Sequence, residues 1–468
     1  MPYQNEYAGN SANQEAMSND NAAQLLQSLN LKVKETPYER LDKVLVHQYG
    51  KNKEIEKVII IDGSKYETVV DEKYSSKLAL FNVNQSSIDI ANLLNFLKED
   101  FPTPESFKTI SKNHTLQSIL PTEGFSNNEY PSEQDFFRYC LFKTLQNNFN
   151  PLLQDLKKTH DMPYDETLLG TYTHLFSRLD KTQLKMQPCI PCNKLNHYMK
   201  IKDFKDENEQ IKWQSICKCP EQKPVFLTDW LSVHSQLGNE VSNEGLTTQV
   251  MLILEKLVLI NTIRNLVINK KQDLLKKIVF VVDGSLAVYS YASWLSQVIH
   301  RELIEIKKDN ELIIIGIEKT GSFVEHVKKV EKHFLQENAP IAPQALFVFN
   351  DDYIQKHIST YDTDSYYGEN THFGKKMYYK NKSGSSFILN IAFENEEDKS
   401  FLFNERESKQ YIEAIKGIEK ITWLFDTFSS NSYDNAFSLL SFAHQGAALS
   451  TSEMGKRLLD KFLKNIVQ

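Results

Sequence analysis

The sequence lacks the features that mark membrane-spanning, exported and disulfide-rich proteins. No run of eighteen apolar residues occurs, whereas a spanning helix needs about 20. The N-terminus, MPYQNEYAGNSANQEAMSNDNAAQ, has neither the basic nor the apolar region of a signal peptide. Five cysteines in 468 residues are too few for a disulfide scaffold. These absences predict a cytoplasmic protein with reduced thiols and no membrane segment.

The chain also has no excess of basic residues. Its formal net charge is -7, which argues against a passive nucleic-acid coat protein, because such proteins are basic. A nuclease is not excluded, since a site for divalent cations needs carboxylates and a local basic channel can coexist with an acidic total.

The pattern along the chain predicts an α/β protein with four parts. We expect a disordered segment at 1–20, the first part of the core at 21–98, an insertion at 99–230 and the second part of the core at 231–468. Strands alternate with helices, and we find no internal repeat. Helices are predicted at 22–49, 246–269, 433–447 and 451–466, and strands at 57–62, 66–84, 278–283, 312–321, 347–350, 386–393 and 421–426.

Two buried strands run into the same tripeptide. VIIIDGS occupies residues 58–64 and VFVVDGS residues 279–285. Continuous apolar runs are typical of strands buried on both faces, so Asp62 and Asp283 are placed where such strands emerge, with a glycine that lets the backbone turn. One Asp-Gly-Ser is ordinary turn chemistry. Two copies favour convergent oxygen ligands for Mg²⁺ or Mn²⁺.

Two further polar side chains lie in apolar helices. Glu255 is in the middle of TQVMLILEKLVLINTIRNL (248–266), where a carboxylate is costly unless it is paired or bound to metal. The neighbouring Lys256 could extend outward to solvent. His444 lies in SLLSFAHQGAALS (438–450). A salt-bridged core glutamate and a core histidine remain the alternatives to metal-binding or catalytic roles.

An aspartate at the end of a first strand, a glutamate in a buried helix, an aspartate at the end of a later strand and a histidine in a terminal helix, in this order along the chain, resemble the NurA nuclease family. The similarity extends over IIIDGS, LTDWLSVH, EGLTTQVMLILEKL, VVDGSL, IIGIEKTGSF and the C-terminal Ala-His pair, from about residue 55 to residue 466. The resemblance implies an RNase H-like core, Mn²⁺- or Mg²⁺-dependent exo- and endonuclease activity on DNA, a homodimer, and docking on a hexameric HerA-type ATPase.

The resemblance also implies roles for individual residues. Asp62, Glu255 and Asp283 match the family's metal-binding carboxylates, and His444 matches its C-terminal histidine. The family's tyrosine near that histidine is usually followed by proline, whereas Tyr433 is followed by Asp434, so its role is not carried over.

The chemistry of phosphodiester hydrolysis suggests three more candidates near strand ends. Lys319 could neutralise charge that builds on the phosphate, or it is a surface lysine. Glu318 could be a metal ligand instead. Asp426 ends the last predicted strand and is a reserve candidate for the fourth ligand position.

Two other segments have residue types that bind metals or nucleic acids. Cys189, Cys192, Cys217 and Cys219 form two close pairs, which favours a structural Zn²⁺ site over free thiols; His197 could replace one sulfur. FGKKMYYKNKSG (373–384) mixes lysines with aromatics and could grip DNA, or it is a solvated hairpin. Cys140 is predicted to be a core residue.

The sequence therefore predicts a NurA-like DNA nuclease. A catalytically silent adaptor, which would bind DNA or the ATPase without cutting, is the alternative. A third reading, an Argonaute-type nuclease, ranks last because no guide-binding signature is evident.

Overall fold

A computed structural model describes residues 38–41, 44–45, 54–98, 110–147, 149, 163–179, 199–218, 220, 222–237, 243–359, 366–399, 405–429, 437–449 and 452–467. The part from Arg40 to Gln468 forms one compact unit. The segment predicted to be disordered, 1–20, lies outside the described residues. None of the described helices is long and apolar enough to cross a membrane.

The structure is mixed α/β, as predicted, and its main sheet has nine strands. In chain order the strands are β1 Val44–Leu45, β2 Lys57–Asp71, β3 Ser76–Asp89, β4 Ser111–Glu123, β5 Gln214–Ile216, β6 Pro224–Phe226, β7 Ile278–Asp283, β8 Ile313–Glu318, β9 Ala345–Val348, β10 Gly374–Lys380 and β11 Ser386–Ala392. The main sheet has the order β1-β9-β10-β11-β8-β7-β2-β3-β4, and β5 pairs with β6 separately.

Helices cover both faces of this sheet. They are α1 Ile90–Phe96, α2 Glu133–Gln146, α3 Leu168–Ser177, α4 Glu244–Ile268, α5 Trp294–Asp309, α6 Ser322–Gln336, α7 Asp351–His357, α8 Glu405–Ala414, α9 Ile418–Thr427, α10 Leu440–Ala447 and α11 Glu453–Val467. Short 3-10 turns lie at Tyr164–Glu166, Ile201–Phe204, Leu227–Leu231, Val233–Gln236, Gln272–Lys277, Ser290–Ser293 and Glu396–Lys399.

The centre of the sheet is made of parallel strands with side chains buried on both faces. β2 pairs in parallel with β7, and β7 with β8. Because side chains alternate along a strand, Ile61 and Val282 enter the core cluster that contains α4. Ile60 and Val281 enter the opposite cluster, which contains α9 and α10. The apolar runs at 58–61 and 279–282 therefore serve two cores at once.

Three expectations about the elements were wrong. ITWLFD (421–426) belongs to α9 rather than to a strand, because Ile421, Leu424 and Phe425 recur at helical spacing and are buried together. Part of the predicted helix 22–49 is the strand β1. β4 pairs with β3 in the main sheet, so the residues up to Glu123 are core and not insertion; its solvent-facing polar residues obscured it at the sheet edge.

The lysine-rich segment 373–384 is a hairpin, but its first lysines are not solvated. β10 lies between β9 and β11 inside the sheet, and Lys375 and Lys376 are buried. The Lys376 ammonium pairs with Glu318 at 2.8 Å and lies 4.1 Å from the ring centroid of Phe323. These two lysines are therefore largely shielded from solvent.

A buried histidine makes the fold sensitive to acid. Burial, together with Lys376 and Lys375, lowers the pKa of His372 to about 3, so below about pH 6.5 the unfolded chain binds a proton that the folded protein does not. The free energy of unfolding should fall by about 1.4 kcal/mol per pH unit from this group as pH decreases. We expect His372→Asn to remove that slope in urea titrations between about pH 6 and about pH 4. Parallel profiles for both proteins would contradict the assignment.

Candidate metal centre

The two Asp-Gly-Ser aspartates lie side by side where the parallel pairing of β2 and β7 ends. Ile61 is in register with Val282, so the next residues, Asp62 and Asp283, are neighbours. Both follow the same alternation and point to the face of the sheet that carries α10. The sequence prediction that these strands converge is supported by this register.

His444 completes a cluster with the two aspartates. Its Nδ1 is 3.1 Å from Oδ2 of Asp62, and Asp62, Asp283 and His444 each offer one ligand atom within 4.8 Å of the others. Asp62 is buried, whereas the His444 side chain is half exposed. Carboxylate oxygens and an imidazole nitrogen are a donor set that suits Mn²⁺ and related divalent ions. The cluster could therefore hold a metal ion that remains accessible from solvent.

Side chains of β2 and β3 hold the helix that carries His444. Asn82 donates to the Ala447 carbonyl at 2.7 Å, and Asn84 donates to the Ala443 carbonyl at 3.2 Å. Ser64 also donates to the Ala447 carbonyl. These bonds satisfy carbonyl groups at the C-terminal end of α10, which a helix leaves unpaired. The polar face of β3, absent from the sequence interpretation, thus fixes where His444 stands.

Glu255 reaches the site from α4, on the other side of the sheet. A Cβ on Gly63 would lie 2.6 Å from Glu255 Oε1, so only a glycine lets this carboxylate approach the strand. Its Oε2 has no hydrogen-bond partner among the described residues. Burial, together with the charges of Asp62 and Asp283, raises the pKa of Glu255 to about 8, although Lys256 and the Gly63 N–H act in the opposite direction. Glu255 is outside the compact three-residue cluster but is electrostatically coupled to it.

Lys256 is part of the site, contrary to the expectation that it extends to solvent. Its side chain is fully buried, and its Nζ lies 3.7 Å from Glu255 Oε2. No hydrogen-bond acceptor is near enough to pair with it in the described part of the chain. Burial lowers the pKa of Lys256, opposed by Glu255 and Asp283. The sequence signal was the absence of any polar face on α4, which leaves no outward direction for a lysine.

Lys319 lies beside Asp283. It follows β8, and its Nζ is 2.5 Å from Oδ2 of Asp283. Burial raises the pKa of Asp283, and Asp62 adds to this effect, while Lys319 opposes it. The lysine side chain is 45% exposed, whereas that of Asp283 is 17% exposed.

The two reserve carboxylates lie elsewhere. Glu318 pairs with Lys376 and accepts a hydrogen bond from Asn390 at 2.9 Å, so its oxygens are already engaged. Asp426 is in α9 and accepts hydrogen bonds from the Tyr379 hydroxyl and the Lys382 N–H, each at 2.8 Å. Because it belongs to a helix, its position as a strand-end ligand was wrong.

The structure describes one of the four cysteines of the predicted zinc site. Cys189, Cys192, Cys219 and His197 lie outside the described residues, as does Tyr433. Cys217 is buried. Cys140 packs against the main core, as expected.

The two Asp-Gly-Ser glycines serve different purposes. β2 continues through Gly63 to Asp71, so this glycine makes no turn; it admits Glu255. Gly284 has a φ of 118°, a conformation that favours glycine, and it ends β7. A Cβ on Gly316 would lie 2.4 Å from the Gly284 carbonyl oxygen. The expectation that both glycines turn the chain was therefore right only for the second.

Comparison with known proteins adds no assignment. A scan against protein-family models and a search of curated proteins each find no match.

Gly63→Ala should displace Glu255 without altering any charge. The new methyl would lie 2.6 Å from Glu255 Oε1 and 3.0 Å from Met251 Cγ, and such overpacking costs about 1–3 kcal/mol. We expect that loss in urea unfolding. Adding Glu255→Asp, which shortens the acid, should recover much of the stability. A Gly63→Ala protein as stable as the wild type would show that the carboxylate does not approach the strand this closely.

Proposed function

We propose that this protein is a metal-dependent DNA nuclease of the NurA type, which hydrolyses DNA phosphodiesters with Mn²⁺ or Mg²⁺. The convergence of Asp62, Asp283 and His444 within 4.8 Å is the observation that carries this proposal. The strand order β4-β3-β2-β7-β8 supports it. An antiparallel trio followed by two parallel strands is the order expected of an RNase H-like core.

The residues of the site have complementary roles in this reaction. A bound divalent cation would polarise the phosphate and lower the pKa of water. Asp62 and Asp283 would hold it, with Glu255 buried beside them. His444, half exposed, would orient or deprotonate the attacking water. Lys319 would move from Asp283 to the phosphate and offset the charge that develops there.

The partners follow only from the resemblance. They are duplex DNA, a hexameric HerA-like ATPase that would feed DNA to the site, and a second copy of this chain. DNA end processing or defence against foreign DNA would be the setting. Since the net charge is -7, we expect DNA affinity to be weak without the ATPase and to fall as salt rises.

A catalytically silent adaptor is the second candidate, and the two lysines favour it. Lys319 is 2.5 Å from Asp283, and Lys256 is 3.7 Å from Glu255. Ammonium groups at these positions partly balance the carboxylates without any metal, so the cluster could persist in a protein that does not cut.

An assay of the degradation of linear duplex DNA in Mn²⁺ distinguishes the nuclease from the silent adaptor. The assay is run with and without a cognate HerA-type ATPase and ATP, on the wild type, Asp62→Ala and Asp283→Ala. We expect cutting that both substitutions abolish. If both variants still cut DNA, the site assignment is refuted. If the wild type does not cut even with the ATPase present, the adaptor is favoured.

A further inference from the structure

A groove of about 350 Å³ lies between α4 and the loop after β7 and has no role so far. One wall is α4, with Thr248 and Leu252, and the other is the loop after β7, with Val288 and Tyr289. Thr248, Leu252 and Glu255 are spaced i, i+4 and i+7, so they share one face of α4. The groove therefore runs along the helix face that ends at the buried carboxylate. We call it the α4–β7 groove.

Tyr289 is an aromatic side chain held at the edge of this groove. It lies in the loop that follows β7, six residues after Asp283. Its ring meets the His372 ring edge-on, with the centroids 5.7 Å apart. The loop itself is pinned, because Val288 N–H donates to the Thr371 carbonyl at 2.9 Å. The side chain is nevertheless 44% exposed, so part of the ring faces the groove and solvent.

A cation is bound to two residues that line the groove, Glu244 and Thr248. Lys65, three residues after Asp62, donates to the Glu244 carbonyl at 3.0 Å and to the Thr247 and Thr248 hydroxyls at 2.9 and 2.5 Å. These acceptors are neutral, and the Glu244 and Glu67 carboxylates also act on the ammonium electrostatically. The ammonium is thus held beside the groove without a direct carboxylate partner among the bonds that fix it.

We propose that the α4–β7 groove binds one unpaired nucleotide of a DNA end, with its base stacked on Tyr289 and its phosphate at Lys65. This inference rests on the proposed function. An aromatic platform combined with a cation is how proteins bind single strands without reading their sequence. The apolar walls at Leu252 and Val288 suit the base, and Leu252 lies one turn of α4 before Glu255, the carboxylate that approaches Gly63.

Binding of fluorescein-labelled oligothymidylate, measured by anisotropy in EDTA at low salt, tests this without any cleavage. A matched strand with abasic residues at its ends is the comparison ligand. Stacking on an aromatic side chain contributes about 1–3 kcal/mol per base, so we expect the wild type to prefer the normal strand by roughly tenfold. Tyr289→Ala should lose that preference and Tyr289→Phe should keep it. Lys65→Met should weaken both strands alike.

Tyr74→Ala is the matched control, since Tyr74 is 65% exposed in the turn between β2 and β3. If Tyr289→Ala and Tyr74→Ala bind alike, or if the wild type binds normal and abasic strands equally, the proposal is overturned. The wild-type comparison needs no variant, so a folding defect in Tyr289→Ala cannot hide the answer. A retained preference with no cutting in Mn²⁺ would refute the nuclease alone, and cutting without the preference would refute the groove alone.

Discussion

Asp283→Asn should make the metal-free protein more stable and leave it unable to gain stability from Mn²⁺. Burial and Asp62 raise the pKa of Asp283, which means that its ionised form is disfavoured in the folded state. Removing the charge should therefore raise the free energy of unfolding without metal. With Mn²⁺ at a hundred times its dissociation constant, the wild type should gain about 2.7 kcal/mol, and the variant little or none.

Thermal unfolding and calorimetric titration with Mn²⁺ measure the two effects separately. Asp71→Asn is the control, because Asp71 ends the same strand, β2, outside the cluster; it should behave like the wild type. Cleavage by Asp283→Asn should fall by roughly a thousandfold if the bound ion contributes several kcal/mol to the reaction. A variant that still binds Mn²⁺ with wild-type affinity would show that Asp283 is not a ligand.

The buried strands and the long helix were predictable from sequence because their signals are local. Continuous apolar runs followed by Asp-Gly predict β7 and the start of β2, and apolar residues on every face predict α4. The same apolar runs also predict that the two aspartates are neighbours, once β2 and β7 are paired in parallel. Asp62 and Asp283 share a face because both follow four apolar residues in the same alternation.

Other features of the fold and of the site depend on contacts between distant segments, which a single sequence does not reveal. β4 is an edge strand with one solvated face, so its polar residues resemble a loop. Asp426 follows apolar residues that suit either a strand or a helix, and only packing against the second core decides for the helix. Asn82 and Asn84 hold α10 from more than 350 positions away in the chain. Such contacts become visible only when the sheet is assembled.

Lys256 has the burial of a core residue and the charge of a surface residue, and this conflict leads to a second prediction with a large effect. Its ammonium lies 3.7 Å from Glu255 and has no hydrogen-bond acceptor in the described structure. Lys307 is equally buried, but it pairs with Glu394 at 2.7 Å and donates to the Ala392 carbonyl at 2.9 Å. The two lysines are therefore a matched pair that differs in hydrogen bonding.

Lys256→Met should stabilise the metal-free protein by about 1–3 kcal/mol, because it removes a buried donor that has no hydrogen-bond acceptor among the described residues. The remaining Glu255 can hold a proton, because burial already raises its pKa to about 8. Lys307→Met should instead cost about 3 kcal/mol, since it leaves a buried acceptor and a carboxylate without their partner. Urea unfolding of both variants at neutral pH makes the comparison.

A stabilised Lys256→Met protein with altered Mn²⁺ affinity would mean that the lysine is retained for the site and not for the fold, as expected where function and stability oppose each other. Loss of stability equal to that of Lys307→Met would instead identify Lys256 and Glu255 as a structural ion pair. In that case the silent adaptor would gain support, because the buried carboxylate would be neutralised by the protein itself rather than by a metal ion.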